Sequence, residues 1–145
     1  MDKENSLLHH CLYFTANTLS RVIARMAEEE FKTTGLSPSH AFLMMVVNDT
    51  PGIGQKDLGE RLHLAPSTVT RFIDSLVYRG YLNRESKGKV SKIYSTNKGK
   101  LLRKPIDAAW KSLNHRYSGI LGMKEGEQLT QLIDDAGQKL EGKQF

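Results

Sequence analysis

QKDLGERLHLAPSTVTRFIDSLVYRGYL, residues 55–82, is the stretch that decides the fold. It reads as two short helices joined by a tight turn, the second opening with Pro66-Ser67-Thr68. Leu58 and Leu62 stand four apart, and Val69, Phe72, Ile73 and Leu76 recur at helical spacing. Each helix therefore has one apolar stripe, and the short join makes the two stripes meet at a steep angle. Gly59 has no side chain to hold the helices apart, Leu64 is the apolar plug between them, and Pro66 pre-sets the first turn of the second helix. The opposite face of that helix carries Ser67, Thr68, Thr70 and Arg71, short donors and one long cation near a helix start. Such a surface suits entry into a DNA major groove, N-terminal residues toward the base edges. An ordinary helix hairpin with a polar outer face would carry the same stripes, so the following segment decides between them.

Behind Gly80, residues 81–85 and 90–95 each read as extended, with Ser86-Lys87-Gly88-Lys89 a glycine-centred turn between them. Two strands joined by a basic turn directly behind a helix-turn-helix make a winged helix, with the recognition helix over 66–79 and the wing over 84–94. Arg84, Lys87, Lys89 and Lys92 would hold the flanking phosphates. Charge points the same way. Residues 55–104 hold twelve Lys/Arg against four Asp/Glu, a balance of +8, whereas the whole chain is +5. All of the basic excess therefore sits in the segment built for phosphate contact. Tyr81 and Tyr94 read as packing residues of the wing rather than a stacking platform for single strands, so the expected partner is double-stranded DNA.

With 145 residues, 39% of them apolar, the chain reads as a single domain, 1–145, mainly α with a small β-wing. No apolar run approaches the roughly 18 residues of a membrane span, so no membrane partner is expected. The polar, acidic start MDKENSLLHH argues against a secretory signal, and one cysteine fits a reducing cytoplasm. Leu8, Leu12, Ala16, Leu19, Ile23 and Met26 predict one helix from about residue 6 to 33, stopped by Gly35. A second helix is expected over 40–47, started by Ser37 or Ser39 beside Pro38. After the wing, Leu101, Leu102, Ile106, Ala109, Trp110, Leu113, Tyr117 and Leu121 mark a long helix capped by Thr96, and Pro105 inside it predicts a kink or a broken start. Leu129, Leu132, Ile133, Ala136 and Leu140 make a last amphipathic helix. The winged helix-turn-helix region, 37–96, is too small to cover the helices of 6–34 and 97–142. These are expected to dimerise with a second copy, giving a two-fold homodimer that meets a pseudo-palindrome with half-sites about 10 bp apart. A monomer whose ends fold back as a bundle is the alternative.

This order of elements resembles the multiple-antibiotic-resistance regulator (MarR) family of dimeric winged-helix transcription factors. The resemblance runs from about Leu7 to Leu140. It is carried by Gln55-Lys56-Asp57-Leu58-Gly59 in the entry helix, Ser67-Thr68-Val69-Thr70-Arg71 in the recognition helix, DSLVYRGYL before the wing, and Ser95-Thr96-Asn97-Lys98-Gly99 at its close. One departure stands out: where the family carries Asp-x-Arg in the wing, this chain has Lys87 and Lys89. An ammonium touches phosphate but cannot fork as a guanidinium does, so this wing is expected to add affinity more than sequence choice. What the resemblance implies is a regulator, usually a repressor, released by a small aromatic or anionic ligand in the crevice between the dimerisation helices and the DNA-binding region. Phe14, Arg21, Arg25, Phe42 and Met45 are the residues here that would line it; at helical spacing they also read as plain core and solvated surface.

Cys11 lies near where the peroxide-sensing members of that family keep their thiol, but the tyrosine they carry near the start of the second helix is replaced in Leu36-Ser37-Pro38-Ser39-His40. A thiol-based peroxide sensor is thus the lesser alternative, and a small buried apolar residue the plainer reading. No metal and no cofactor are expected. His9, His10 and Cys11 are consecutive, so on a helix they diverge, and His40, His63 and His115 are isolated. No enzyme is expected either, since there is no phosphate-cradling glycine loop, nucleophile elbow or paired carboxylate. The rival to a sequence-specific regulator is a winged-helix protein-interaction module, or a DNA binder blind to sequence.

Overall fold

The computed structural model describes residues 3–142. It is mainly α with one small antiparallel sheet, and its contacts divide it into two compact units, Met1–Ala109 and Trp110–Phe145.

In the first unit, α1 (Lys3–His9) and α2 (Leu12–Phe31) replace the single helix expected over 6–33. The chain tightens at the Cys11 N–H, which reaches back three residues to the Leu8 carbonyl, and Cys11 itself is extended (φ −95°, ψ 118°). His9, His10, Cys11, Tyr13, Phe14 and Thr15 are all weak helix formers, so little holds the ladder through this point. A 3-10 turn over Lys32–Thr34 closes α2, and Gly35 stops it at φ 74°. α3 (Pro38–Asp49) is longer than the expected 40–47 at both ends. Ser37 caps it, its Oγ accepting from the His40 N–H at 3.3 Å, with Pro38 opening the first turn. Phe31, Leu36, Ala41, Leu43, Met44 and Val47 are buried and start the core.

α4 (Gln55–Arg61) and α5 (Pro66–Tyr78) form the helix-turn-helix. Leu58, Val69, Ile73 and Leu76 are at most 1% exposed, so the predicted stripes do meet. Leu62 lies just beyond the end of α4 and is half-buried. The turn is made by His63 at φ 54°, a left-handed position more often taken by glycine. A Cβ on Gly59 would stand 2.9 Å from Val69 Cγ2, which is why the helices require glycine at that crossing.

The wing is β2 (Leu82–Lys87) paired with β3 (Val90–Ser95), joined by the two-residue loop Gly88-Lys89 with Gly88 at φ 60°. β3 spans the 90–95 expected, whereas β2 runs two residues closer to the tip than the expected 81–85. A third strand, β1 (Ile53–Gly54), pairs with β3 through Ile53↔Ile93 and gives the order β1-β3-β2. Behind the wing Thr96 caps a four-residue α6 (Asn97–Lys100), accepting from the Gly99 N–H at 3.1 Å. α7 (Arg103–Leu121) begins afresh, so Pro105 falls in a first turn, where its missing N–H costs nothing. This is the broken start that Pro105 predicts.

The second unit holds the rest of α7 and α8 (Met123–Leu140), parted at Gly122 with φ 97°. Gly126 is buried there beside Ser118 and Tyr117. No helix among the described residues is long and apolar enough to cross a membrane.

Candidate nucleic-acid interface

Because Val69, Ile73 and Leu76 are spent on the core, the opposite face of α5 is turned outward. Ser67, Thr70 and Arg71 are exposed and Thr68 is half-buried. At 100° per residue Ser67, Arg71, Asp74 and Tyr78 fall in one row along that face. Among the described residues Arg71 makes only a long contact, from a guanidinium NH2 group to Thr68 Oγ1 at 3.5 Å, so most of its donors remain available. Tyr78, 93% exposed at the end of the row, was not singled out from sequence, although the spacing 67, 71, 74, 78 would have found it.

Thr70 is differently placed from its neighbours. Its hydroxyl donates to the Pro66 carbonyl at 3.0 Å and accepts from Gln55 Nε2 at 2.9 Å. Gln55, the first residue of α4, thereby joins the polar surface of the recognition helix. Sequence reasoning quoted Gln55 only as part of the entry helix, since helical periodicity cannot relate residues fifteen apart on different helices.

The register of the wing sorts its residues by face. Leu82, Arg84 and Ser86 stand opposite Ser95, Ile93 and Ser91, the face that includes buried Leu82 and Ile93. Glu85 and Lys87 pair with Lys92 and Val90 on the outer face, and Lys89 is at the tip. Lys87, Lys89 and Lys92 are thus together on the exposed side. Arg84, expected with them, is not: a guanidinium NH2 group donates to Asp74 Oδ1 at 2.7 Å, and its buried Nε has no partner. The pair ties the wing to the recognition helix, and the spacing Leu82-x-Arg84 was the signal that both share the inner face. Tyr81 and Tyr94 pack as expected. Tyr81 lies beside the Arg79 guanidinium and the Lys98 ammonium, 5.3 and 4.6 Å from its ring centre, and Tyr94 covers Gly52.

His40 packs on Phe72 of α5 with ring centres 4.4 Å apart, and its Nδ1 lies 2.6 Å from Ser37 Oγ. Burial, and then the Arg79 guanidinium, hold its pKa below the ordinary 6.5.

The five residues named for a ligand crevice are only partly brought together. Phe42 and Met45 line one hollow of about 390 Å³ with Ser39, Val46 and Leu64, and Met45 also borders a second, of about 410 Å³, with Arg103 and Ile106. Phe14, half-buried, and Arg21 and Arg25, both exposed, line neither. Cys11 is exposed and sits between helices rather than within one, which corrects both its expected place in the first helix and the plainer reading of it as a buried apolar residue. Among the described residues no group of three or more His, Cys, Asp or Glu could hold a metal ion.

A helix-turn-helix with an exposed polar start, flanked by a basic two-stranded wing, is a winged-helix fold. Residues 36–88 match the model of the MarR family. A helix-turn-helix-type transcriptional regulator of Bacillus subtilis, YybA, is 27% identical over 85 residues, 57% of this chain and 57% of that protein, so the match spans little more than half the relative's length. Among solved structures, the PcaV transcriptional regulator from Streptomyces coelicolor, in complex with its natural ligand, has a TM-score of 0.81 at 21% identity, over 90% of this chain and 94% of its own. The transcriptional regulator MOSR of M. tuberculosis, in complex with DNA, has a TM-score of 0.80 at 16% identity, over 92% and 98%. Over residues 36–88 the chain is thus similar to the MarR family, and its fold is the one these solved regulators share.

Proposed function

We propose that the chain is a homodimeric transcriptional regulator that binds a pseudo-palindromic duplex operator and acts as a repressor released by a small ligand. The observation that carries the reading is the exposed start of α5, where Ser67 and Arg71 project from a helix whose other face is entirely buried, beside the outward lysines of the wing. α5 enters the major groove, Arg71 meets base edges, and Lys87, Lys89 and Lys92 hold the flanking backbone. Arg84 acts from behind, fixing the wing against Asp74. Two copies are supported by the apolar residues exposed on the terminal helices: Leu7, Leu12 and Tyr13 in the first unit, and Ile120, Met123 and Leu132 in the second, each at least 66% exposed. A monomer presenting that much apolar surface would be poorly soluble. The ligand reading is supported by the hollows beside Met45 and by the ligand-bound state of PcaV; of the residues expected there, Phe42 and Met45 offer an apolar, aromatic wall to a small molecule.

Fluorescence anisotropy of the protein with duplex from upstream of its own gene, and with a scrambled duplex, tests the reading at two salt concentrations. A preference of about 10³ or more for the upstream duplex is the expected result. Equal, salt-sensitive binding to both would favour a sequence-blind binder, and no binding at low salt would end the DNA reading. In the same assay Lys89→Ala should weaken every duplex alike and lower the salt slope by about one unit. Sedimentation equilibrium should give about twice the 16.3 kDa of one chain; a mass of one chain would remove the homodimer.

A further inference from the structure

We propose that Gln55 is a base-reading residue, that Thr70 is the positioning residue which holds it, and that the pair selects adenine at one position of each half-site. The inference rests on the reading of α5 as the helix that enters the groove, and deepens it.

A threonine hydroxyl has one proton and two lone pairs. In Thr70 the proton is committed to the Pro66 carbonyl and one lone pair takes an N–H of Gln55. Thr70 therefore has no donor left for DNA, although its exposure and its place on the outer face of α5 suggest a contact residue. The chemistry passes to the side chain bonded to it. A glutamine amide has two N–H groups and a carbonyl oxygen in one plane. The N–H anti to the carbonyl is assigned to Thr70, which leaves the syn N–H and Oε1 as a donor and an acceptor side by side.

That pattern is the complement of the acceptor N7 and donor N6 of adenine in the major groove. It is not the pattern best suited to phosphate, which offers acceptors only and is drawn to charge. Placement agrees with this use. Gln55, Pro66 and the wing-tip Lys89 border the same open hollow of about 600 Å³, so the amide stands at the surface where α5 begins. The Thr70 bond also fixes the amide before DNA arrives, which reduces the ordering cost of contact. The reading surface is thus built from two helices: Ser67 and Arg71 from α5, Gln55 from α4.

The test is selection from a randomised duplex library with the wild-type protein, Gln55→Ala, Thr70→Val, the double variant, and Gln55→Glu. Gln55→Ala should lose about tenfold of the preference for adenine at one position per half-site and keep the others. Thr70→Val should blur the same position, and the double variant should do no more than Gln55→Ala alone. Gln55→Glu, which offers acceptors, should move the preference at that position toward cytosine, whose N4 donates. A merely structural role would not change which base is chosen. Gln55→Ala and Gln55→Glu proteins that keep every base preference would overturn the proposal. A uniform loss of affinity would do so too, assigning Gln55 to phosphate. Failure of the wild-type protein to enrich any sequence would instead overturn the groove reading beneath it.

Discussion

Gly99→Ala should lower the unfolding midpoint by about 6–12 °C, corresponding to about 3 kcal/mol in a chain of this size. A Cβ built on Gly99 runs into the Tyr81 carbonyl oxygen and lies 3.0 Å from Met44 Cε. Methionine can give way, but a carbonyl in the middle of a hydrogen-bonded turn cannot. The Tyr81 oxygen accepts the Thr96 N–H at 3.0 Å, and Thr96 in turn donates its hydroxyl to the Gly80 carbonyl and caps α6. Moving Tyr81 would therefore disturb the entry to β2, the cap of α6, and the Asn48 side chain, which donates to the Gly99 carbonyl. Gly119→Ala and Gly137→Ala are the controls: both glycines are in helices and meet nothing within 4 Å, so alanine there should be neutral or add up to about 1 kcal/mol. Thermal melts followed by circular dichroism decide the matter. If Gly99→Ala melts with the wild type, the close approach of α6 to Tyr81 is wrong.

Arg71→Ala should weaken operator binding by about 1–3 kcal/mol, roughly tenfold or more, and relax the preference for guanine at one position of each half-site. The guanidinium is exposed on the groove face and has one long internal contact, so its fork is free to span guanine O6 and N7. Arg71→Lys separates charge from geometry. The ammonium retains attraction to the backbone but cannot fork, so affinity for non-specific duplex should persist while discrimination at that position falls. Titration of operators carrying each base at the selected guanine measures both. An unchanged base preference in Arg71→Ala would mean that α5 meets DNA with a different face.

The helix-turn-helix was legible because its signals are local. Leu58, Val69, Ile73 and Leu76 carry the helical period, Gly59 and Pro66 punctuate it, and all of them act within a few turns of one another. The wing strands and the Thr96 cap were legible for the same reason. What escaped the sequence depends on partners far along the chain. Ile53 and Gly54 are too few to show a strand period and become one only through Ile93 and Lys92. Arg84 looked like one more wing cation until its cross-strand register set it on the inner face opposite Ile93 and within reach of Asp74. Gln55 had no reason to be paired with Thr70 until the two helices crossed. The interruption at Cys11 was hidden by an apolar period that continues on either side of it, while the backbone there is held by poor helix formers.

The two-residue loop at the tip of the wing governs how this arm can change in length. β2 keeps Leu82, Arg84 and Ser86 on the side of Ser95, Ile93 and Ser91 only because the count from Leu82 to the loop is fixed. One residue added within β2 would turn Arg84 toward solvent, release Asp74, and drive a lysine toward the core. Two residues added to each strand would preserve every inward contact and carry Gly88 and Lys89 roughly 7 Å further out. The arm therefore has a parity: descendants of this sequence can alter its reach only in even steps.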